Sequence, residues 1–227
     1  MIENKLEKEN TTKTIEKNWE EILKSQQKKY SNLEIPQVII YLAEKIIQLG
    51  GRKTKGIFRL SIRNDLKLKY IEQFKNDGFI NLKDEKDCNV PAVLLKHFFA
   101  YSTLPLFENY EDCLNASNES DFQKLLDKLT QVNQKILFFL CSFIIEMSSY
   151  SQDTLMDISN LCLIFSPGFL RDDSFDMQTW MIQQPKEQKF MMDFFKWIAP
   201  KITNKFEYLK PTDEEREKII QEYEKEN

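Results

Sequence analysis

This chain has one histidine in 227 residues, His97, and four cysteines, Cys88, Cys113, Cys141 and Cys162, with no C-x-x-C pair among them. Zinc-ligand spacing is therefore absent, and no metal site is expected. A Ser-His-Asp or Cys-His nucleophile would have to recruit His97, which sits in an apolar run with no nucleophile motif beside it. Glycine and proline are also scarce, at five and seven, which argues against a turn-rich β-sandwich and for long helices. No apolar run approaches the roughly 18–20 residues of a membrane span. The start, Met1-Ile2-Glu3-Asn4-Lys5, lacks the apolar stretch of a signal peptide. With net charge −4 and a pI near 5.3, the basic footprint of a nucleic-acid binder is missing too. The expectation is a cytoplasmic protein that handles neither nucleic acid nor a membrane.

What the chain has in quantity is apolar and aromatic material, 41% and 12% of residues, enough for one sizeable core. Residues 1 to 31 are rich in Lys, Glu, Asn and Gln, with Ile15, Trp19, Ile22 and Leu23 at helical spacing, and read as a charged lead-in helix. Residues 201 to 227 mirror it, with Pro211-Thr212-Asp213-Glu214-Glu215 as a capped helix start leading into a charged tail. Between them the pattern is helical throughout. Segments 35–49, 65–77, 90–101, 121–129, 132–147 and 190–199 carry helical apolar stripes, and 155–165 is apolar on all sides, the mark of a central buried helix. No alternating strand pattern of useful length occurs. The spacing predicts one all-α domain over 32–200, with helical extensions at both ends. Cys141 and Cys162 fall in apolar segments and read as small core residues.

Four spots break the apolar logic. In Gly56-Ile57-Phe58-Arg59-Leu60-Ser61 an arginine stands between two apolar pairs, so its neighbours can pin the loop while the guanidinium points outward. A guanidinium held that way suits charge that develops on a transferring phosphoryl group, although most exposed arginines are only solvated. Lys96 is the sole ionised side chain between Val90 and Tyr101 and must either snorkel or meet a partner. Asn160 lies among Met156, Ile158, Leu161 and Leu163, where a buried amide would need hydrogen bonds. Finally, Phe165-Ser166-Pro167-Gly168 is expected to end the central helix and expose a loop.

The order and spacing of these spots resemble the RhoGAP domain over residues 36 to about 200. Gly56 to Ser61 is similar to that family's G-I-[FY]-R-x-S-G arginine-finger loop. Leu94-Leu95-Lys96, with Pro105-Leu106 at the end, resembles its L-L-K-x-x-x-R-E-L-P-E-P-L stretch. Met156 to Pro167 resembles M-x-x-x-N-L-A-x-V-F-x-P. The resemblance implies a single helical bundle that stimulates GTP hydrolysis by a Rho/Rac/Cdc42-type small GTPase. Arg59 would be inserted in trans as the catalytic residue, with Lys96, Pro167 and Gly168 touching the GTPase. Gly56, Phe58, Ser61, Asn160 and Ala100 would form the supporting loop and core. It also implies a monomer without a cofactor of its own, since GTP and magnesium belong to the partner.

The chain departs from the family pattern at several positions. Ile62 replaces the glycine after Ser61, and Tyr101-Ser102-Thr103-Leu104 replaces E-L-P-E. Ala100 stands where the family has an arginine one turn beyond Lys96, and Gly168 where it has an asparagine. By resemblance, the arginine would steady the finger loop and the asparagine would touch the GTPase. The departures leave open a RhoGAP-like module that captures a GTP-loaded Rho protein without accelerating hydrolysis, and the charged ends alone leave a third reading, a helical scaffold that binds no GTPase.

Overall fold

The computed structural model describes residues 18–28, 33–101, 104–174, 176–205, 220–221 and 224, with side chains of the last long helix described to Ile202. Ile15 and the expected capped helix start at 211–215 lie outside the described residues. Among those described, every regular element is helical.

Helix α1 (Trp19–Gln27) starts at Asn18, whose side chain accepts from the Glu21 amide while Glu21 reaches back to the Asn18 amide. This reciprocal cap satisfies two otherwise orphaned donors. Trp19, Ile22 and Leu23 are buried, and the Trp19 ring lies 5.2 Å from Phe99. The lead-in helix is thus part of the bundle. Helix α2 (Gln37–Gln48) is buried almost all round, including Glu44 and Lys45, and stops where Gly50 turns left-handed at φ 85°. A single 3-10 turn, Gly51–Lys53, follows. Helix α3 (Asn64–Asp77) also ends on a left-handed glycine, Gly78.

Helix α4 (Asn89–Ala100) packs on α2, α3 and the later α9. Two short helices, α5 (Tyr110–Asn115) and α6 (Glu119–Asp127), precede α7 (Gln131–Ser149), the one-turn α8 (Ser151–Thr154), α9 (Ile158–Phe169) and α10 (Met177–Lys205). Helix α9 is central, packed against α4, α7 and α10. Its burial is one-sided, however. Leu161, Cys162, Phe165, Ser166, Gly168 and Phe169 are buried, whereas Asn160, Leu163, Ile164 and Pro167 are half-exposed. Those four fall at i, i+3, i+4 and i+7, a single stripe along the helix. All four cysteines are buried and unpaired.

Two expectations shift. The central helix does not end at Pro167 but runs to Phe169. Proline cannot donate to the carbonyl four residues back. Here the Ser166 hydroxyl donates to that carbonyl, Leu163 O, at 3.1 Å, so the loss is made good locally. Helix α10 begins 13 residues before the expected start at 190 and contains Pro185 and Pro200. Its docked portion is an aromatic cluster: Phe190 and Phe194 meet Phe107 and Phe122, and Trp197 meets Phe122 and Phe194. Aromatic pairs of this kind contribute about 0.5–1.5 kcal/mol each beyond area burial. The buried Glu187 accepts from Tyr110 Oη at 2.8 Å, and burial raises its pKa. Glu224 returns to α2, where it pairs with the buried Lys45 at 2.7 Å.

Candidate functional site

The Arg59 loop is held from inside. Gly56 at φ 74° reverses the chain, and the amides of Arg59 and Leu60 both donate to its carbonyl, at 2.9 and 3.2 Å. Ile57 and Phe58 are fully buried. The Phe58 ring lies 5.2 Å from Phe165 and 6.1 Å from Phe143, edge-on to both. Leu60 departs from expectation. It is 47% exposed and anchors nothing, so the loop is pinned on one side of Arg59 only. Ser61 is exposed as well.

Phe58 adopts φ 69°, a left-handed conformation that costs a non-glycine residue roughly 1–2 kcal/mol. Burying its ring returns about 1.5–3 kcal/mol, and the two edge contacts add to that. Packing therefore outweighs strain, and the backbone at 58 is set by the core rather than by local preference.

Lys96 does not simply snorkel. Its ammonium donates to the Phe58 carbonyl at 3.0 Å, tying α4 to the residue before Arg59. Burial, and then the charge of Lys67, lowers its pKa. Beyond this brace Arg59 itself is exposed, and among the described residues no side chain pairs with its guanidinium.

The other expected site residues divide. Asn160 and Pro167 lie on the half-exposed stripe of α9, so Asn160 is not the buried amide expected. Its backbone amide instead donates to the helix cap Asp157, at 2.8 Å. Gly168 is corrected outright: it is buried, and a Cβ there would sit 2.6 Å from Phe99 Cβ. It is a glycine because α4 and α9 cross there, and it offers no surface to a partner. Ala100 ends α4, half-exposed, one turn beyond Lys96. No cation stands at that position, and the α4 side chain that reaches the loop is that of Lys96. Two arginines that could have replaced such a cation are engaged elsewhere. Arg63 pairs with Asp65, and Arg171 pairs with Asp173 and donates to the Pro167 carbonyl. His97 stacks on Tyr101 with ring centroids 4.5 Å apart. Burial, helped by Lys67, Lys96 and Lys75, pushes its imidazole down to about 4, so it is neutral at pH 7.

Thr154 was not foreseen from the sequence. Fully buried, it accepts the Gly56 amide on its carbonyl at 2.7 Å and so sets the base of the loop. A threonine at the end of a one-turn helix carries no pattern that could have revealed this.

The RhoGAP domain model matches residues 36–174, more than half of the chain. The chain belongs to the RhoGAP family. Among curated relatives, GTPase activating protein homolog 3 of Dictyostelium discoideum is 28% identical over 186 residues, covering 80% of this chain and 14% of that protein. Human Rho GTPase-activating protein 1 is 28% identical over 150 residues, covering 61% of this chain and 34% of its own length. This RhoGAP chain thus spans well under half of either relative. The crystal structure of human Rho GTPase activating protein 15 superposes with a TM-score of 0.62 at 21% identity, covering 78% of this chain and 89% of that one. The RhoGAP fold, all-helical, is thereby shown. No helix among the described residues is long and apolar enough to cross a membrane.

Proposed function

We propose that this RhoGAP domain accelerates GTP hydrolysis by a Rho/Rac/Cdc42-type small GTPase, with Arg59 entering the partner's nucleotide site. The observation that carries the reading is the contrast at Arg59. The residue before it is fully buried, strained and held by Lys96, while Arg59 is exposed and unpaired. An arginine that served the fold would find an internal acid, and a merely solvated one would not need a fixed base. The partner supplies GTP, magnesium and the attacking water. Arg59 supplies positive charge where the transition state gains negative charge, and its loop is already ordered before contact. In the related Ras system an arginine supplied in trans contributes ~10³–10⁵ in rate, about 4–7 kcal/mol. The domain needs no cofactor of its own for this role and is an activator rather than an enzyme with its own substrate site. Lys96 braces the loop, and the Asn160–Pro167 stripe of α9 supports the partner's surface.

A second reading, a module that captures a GTP-loaded Rho protein without activating it, draws on Ala100, where a second cation is missing beside Lys96. Single-turnover hydrolysis across a panel of Rho-type GTPases separates the two. Stimulation by the wild-type domain that is lost in Arg59→Ala, with binding retained, is the expected result. Binding without stimulation establishes the capture module. Equal stimulation by both proteins removes Arg59 from the mechanism.

A further inference from the structure

The chain entering the Arg59 loop is tied to the α7–α9 connection at two points with the same spacing on both sides. The Gly56 amide donates to the Thr154 carbonyl at 2.7 Å. Four residues earlier on each strand of this ladder, the Arg52 guanidinium lies 5.3 Å from the Tyr150 ring centroid and pairs with Glu146. Tyr150 caps α7 and is bonded to Thr154 through both the amide and the hydroxyl of Thr154, each at 3.0 Å to the Tyr150 carbonyl. Glu146 is the only acid in α7. Gly51, just before Arg52, admits no side chain because a Cβ would lie 2.5 Å from Ile46 Cγ2. The 3-10 turn is thus wedged against α2 on one flank and clamped to α7 and α8 on the other.

We infer that Arg52, through Glu146 and Tyr150, is a positioning residue for Arg59, resting on the reading of Arg59 as the residue presented to the GTPase. Fold stability does not account for the pair. The pair is only partly buried, with the Arg52 side chain 32% exposed, so its net contribution to stability is small, and here the buried Arg52 Nε has no hydrogen-bond partner. What the pair adds is direction. The buried Ile57 and Phe58 and the Lys96 bond hold the loop beyond Gly56. Upstream of it, the Gly56–Thr154 bond is a single point of attachment to the α7–α9 connection, about which the entering chain can pivot. A second rung four residues away removes the pivot and fixes where residues 57–59 leave the core.

The test uses Arg52→Met, which keeps an unbranched apolar stem over Tyr150 and removes the charge, alongside Arg59→Ala and the double variant. Amide hydrogen exchange on the free protein is read first. The amides of Gly56, Arg59 and Leu60 should exchange about ten-fold faster in Arg52→Met, with those of α4 and α9 unchanged. Stimulated hydrolysis should fall about ten-fold at saturating activator, with half-saturation moved less than about two-fold. In the Arg59→Ala background, Arg52→Met should cost nothing further, because nothing remains to be aimed. Unchanged exchange at the loop would overturn the inference. So would faster exchange throughout α4, α7 and α9, or an Arg52→Met defect that persists without Arg59, since both mark a general structural role. Should Arg59→Ala alone stimulate hydrolysis as well as wild type, the reading of Arg59 fails instead, while the exchange data still judge the clamp.

Discussion

Substituting alanine at Gly168 sets two effects of known size against each other. Gly168 lies inside α9, where alanine is favoured over glycine by about 0.8–1 kcal/mol of helix propensity. Propensity alone therefore predicts a more stable protein. The added Cβ, however, would sit 2.6 Å from Phe99 Cβ and 3.3 Å from the Phe99 carbonyl carbon. Carbon atoms prefer about 3.5–4.0 Å, so α4 and α9 must part by roughly 1 Å. The nearest atom, Phe99 Cβ, is fixed directly to the α4 backbone and the next two are backbone atoms, so no side-chain end can swing aside. Overpacking of this kind costs about 1–3 kcal/mol, and the upper end applies when backbones must move. The net is a loss of about 2 kcal/mol, or a fall in Tm of roughly 4–8 °C for a domain of this size. Lys96 is three residues before Phe99 on α4, so the same displacement loosens its hold on the Phe58 carbonyl. Stimulated hydrolysis should drop with stability. Gly168→Asn, which the family pattern would favour, should be worse on both measures. Urea and thermal melts of Gly168→Ala against wild type decide the matter. A variant as stable as wild type, or more so, would show that the helices yield cheaply and refute the packing argument.

Lys96→Met should leave stability within about 1 kcal/mol, because the lost hydrogen bond is offset by relief of a desolvated charge. Maximal stimulated hydrolysis should nonetheless fall about ten-fold, and an unchanged maximum in single-turnover titrations would remove Lys96 from loop bracing. His97 binds its proton near pH 4 in the folded state and near 6.5 when unfolded. The unfolded state therefore takes up more protons between these values, and folding stability should decline by roughly 3 kcal/mol as pH falls from about 6.5 to 4. His97→Phe should flatten that part of a urea-melt series, and identical slopes for the two proteins would contradict it. Glu224→Ala should strand the buried Lys45 and cost about 3 kcal/mol in chemical denaturation. A loss below about 1 kcal/mol would mean that Lys45 reaches water without its partner.

The helices were legible in the sequence because most of their apolar positions recur at the helical period, as in α2 and α7, while the segment of α9 stood out as a continuous apolar run. What was hidden depended on contacts between distant segments. Nothing local to Ser166 indicates that its hydroxyl will cover the carbonyl orphaned by Pro167 and carry the helix past a proline. Gly168 reads as a helix breaker until Phe99 is placed against it. At the site, Arg59 and Lys96 stood out as charges in apolar company, but the bond that joins Lys96 to Phe58 belongs to tertiary geometry. Leu60 misled for the reverse reason, since an apolar side chain beside an anchored loop need not itself be anchored.

The bond between the Gly56 amide and the Thr154 carbonyl joins positions about a hundred residues apart in the chain, and the Phe58 ring waits on Phe143 and Phe165 at similar range. Contacts of such separation form only once the intervening helices have assembled. The presentation of Arg59 is therefore a property of the finished tertiary structure and of no fragment or early intermediate. Partly folded chains, however helical, should be silent toward a GTPase, and recovery of activity during refolding should trail the return of helix signal.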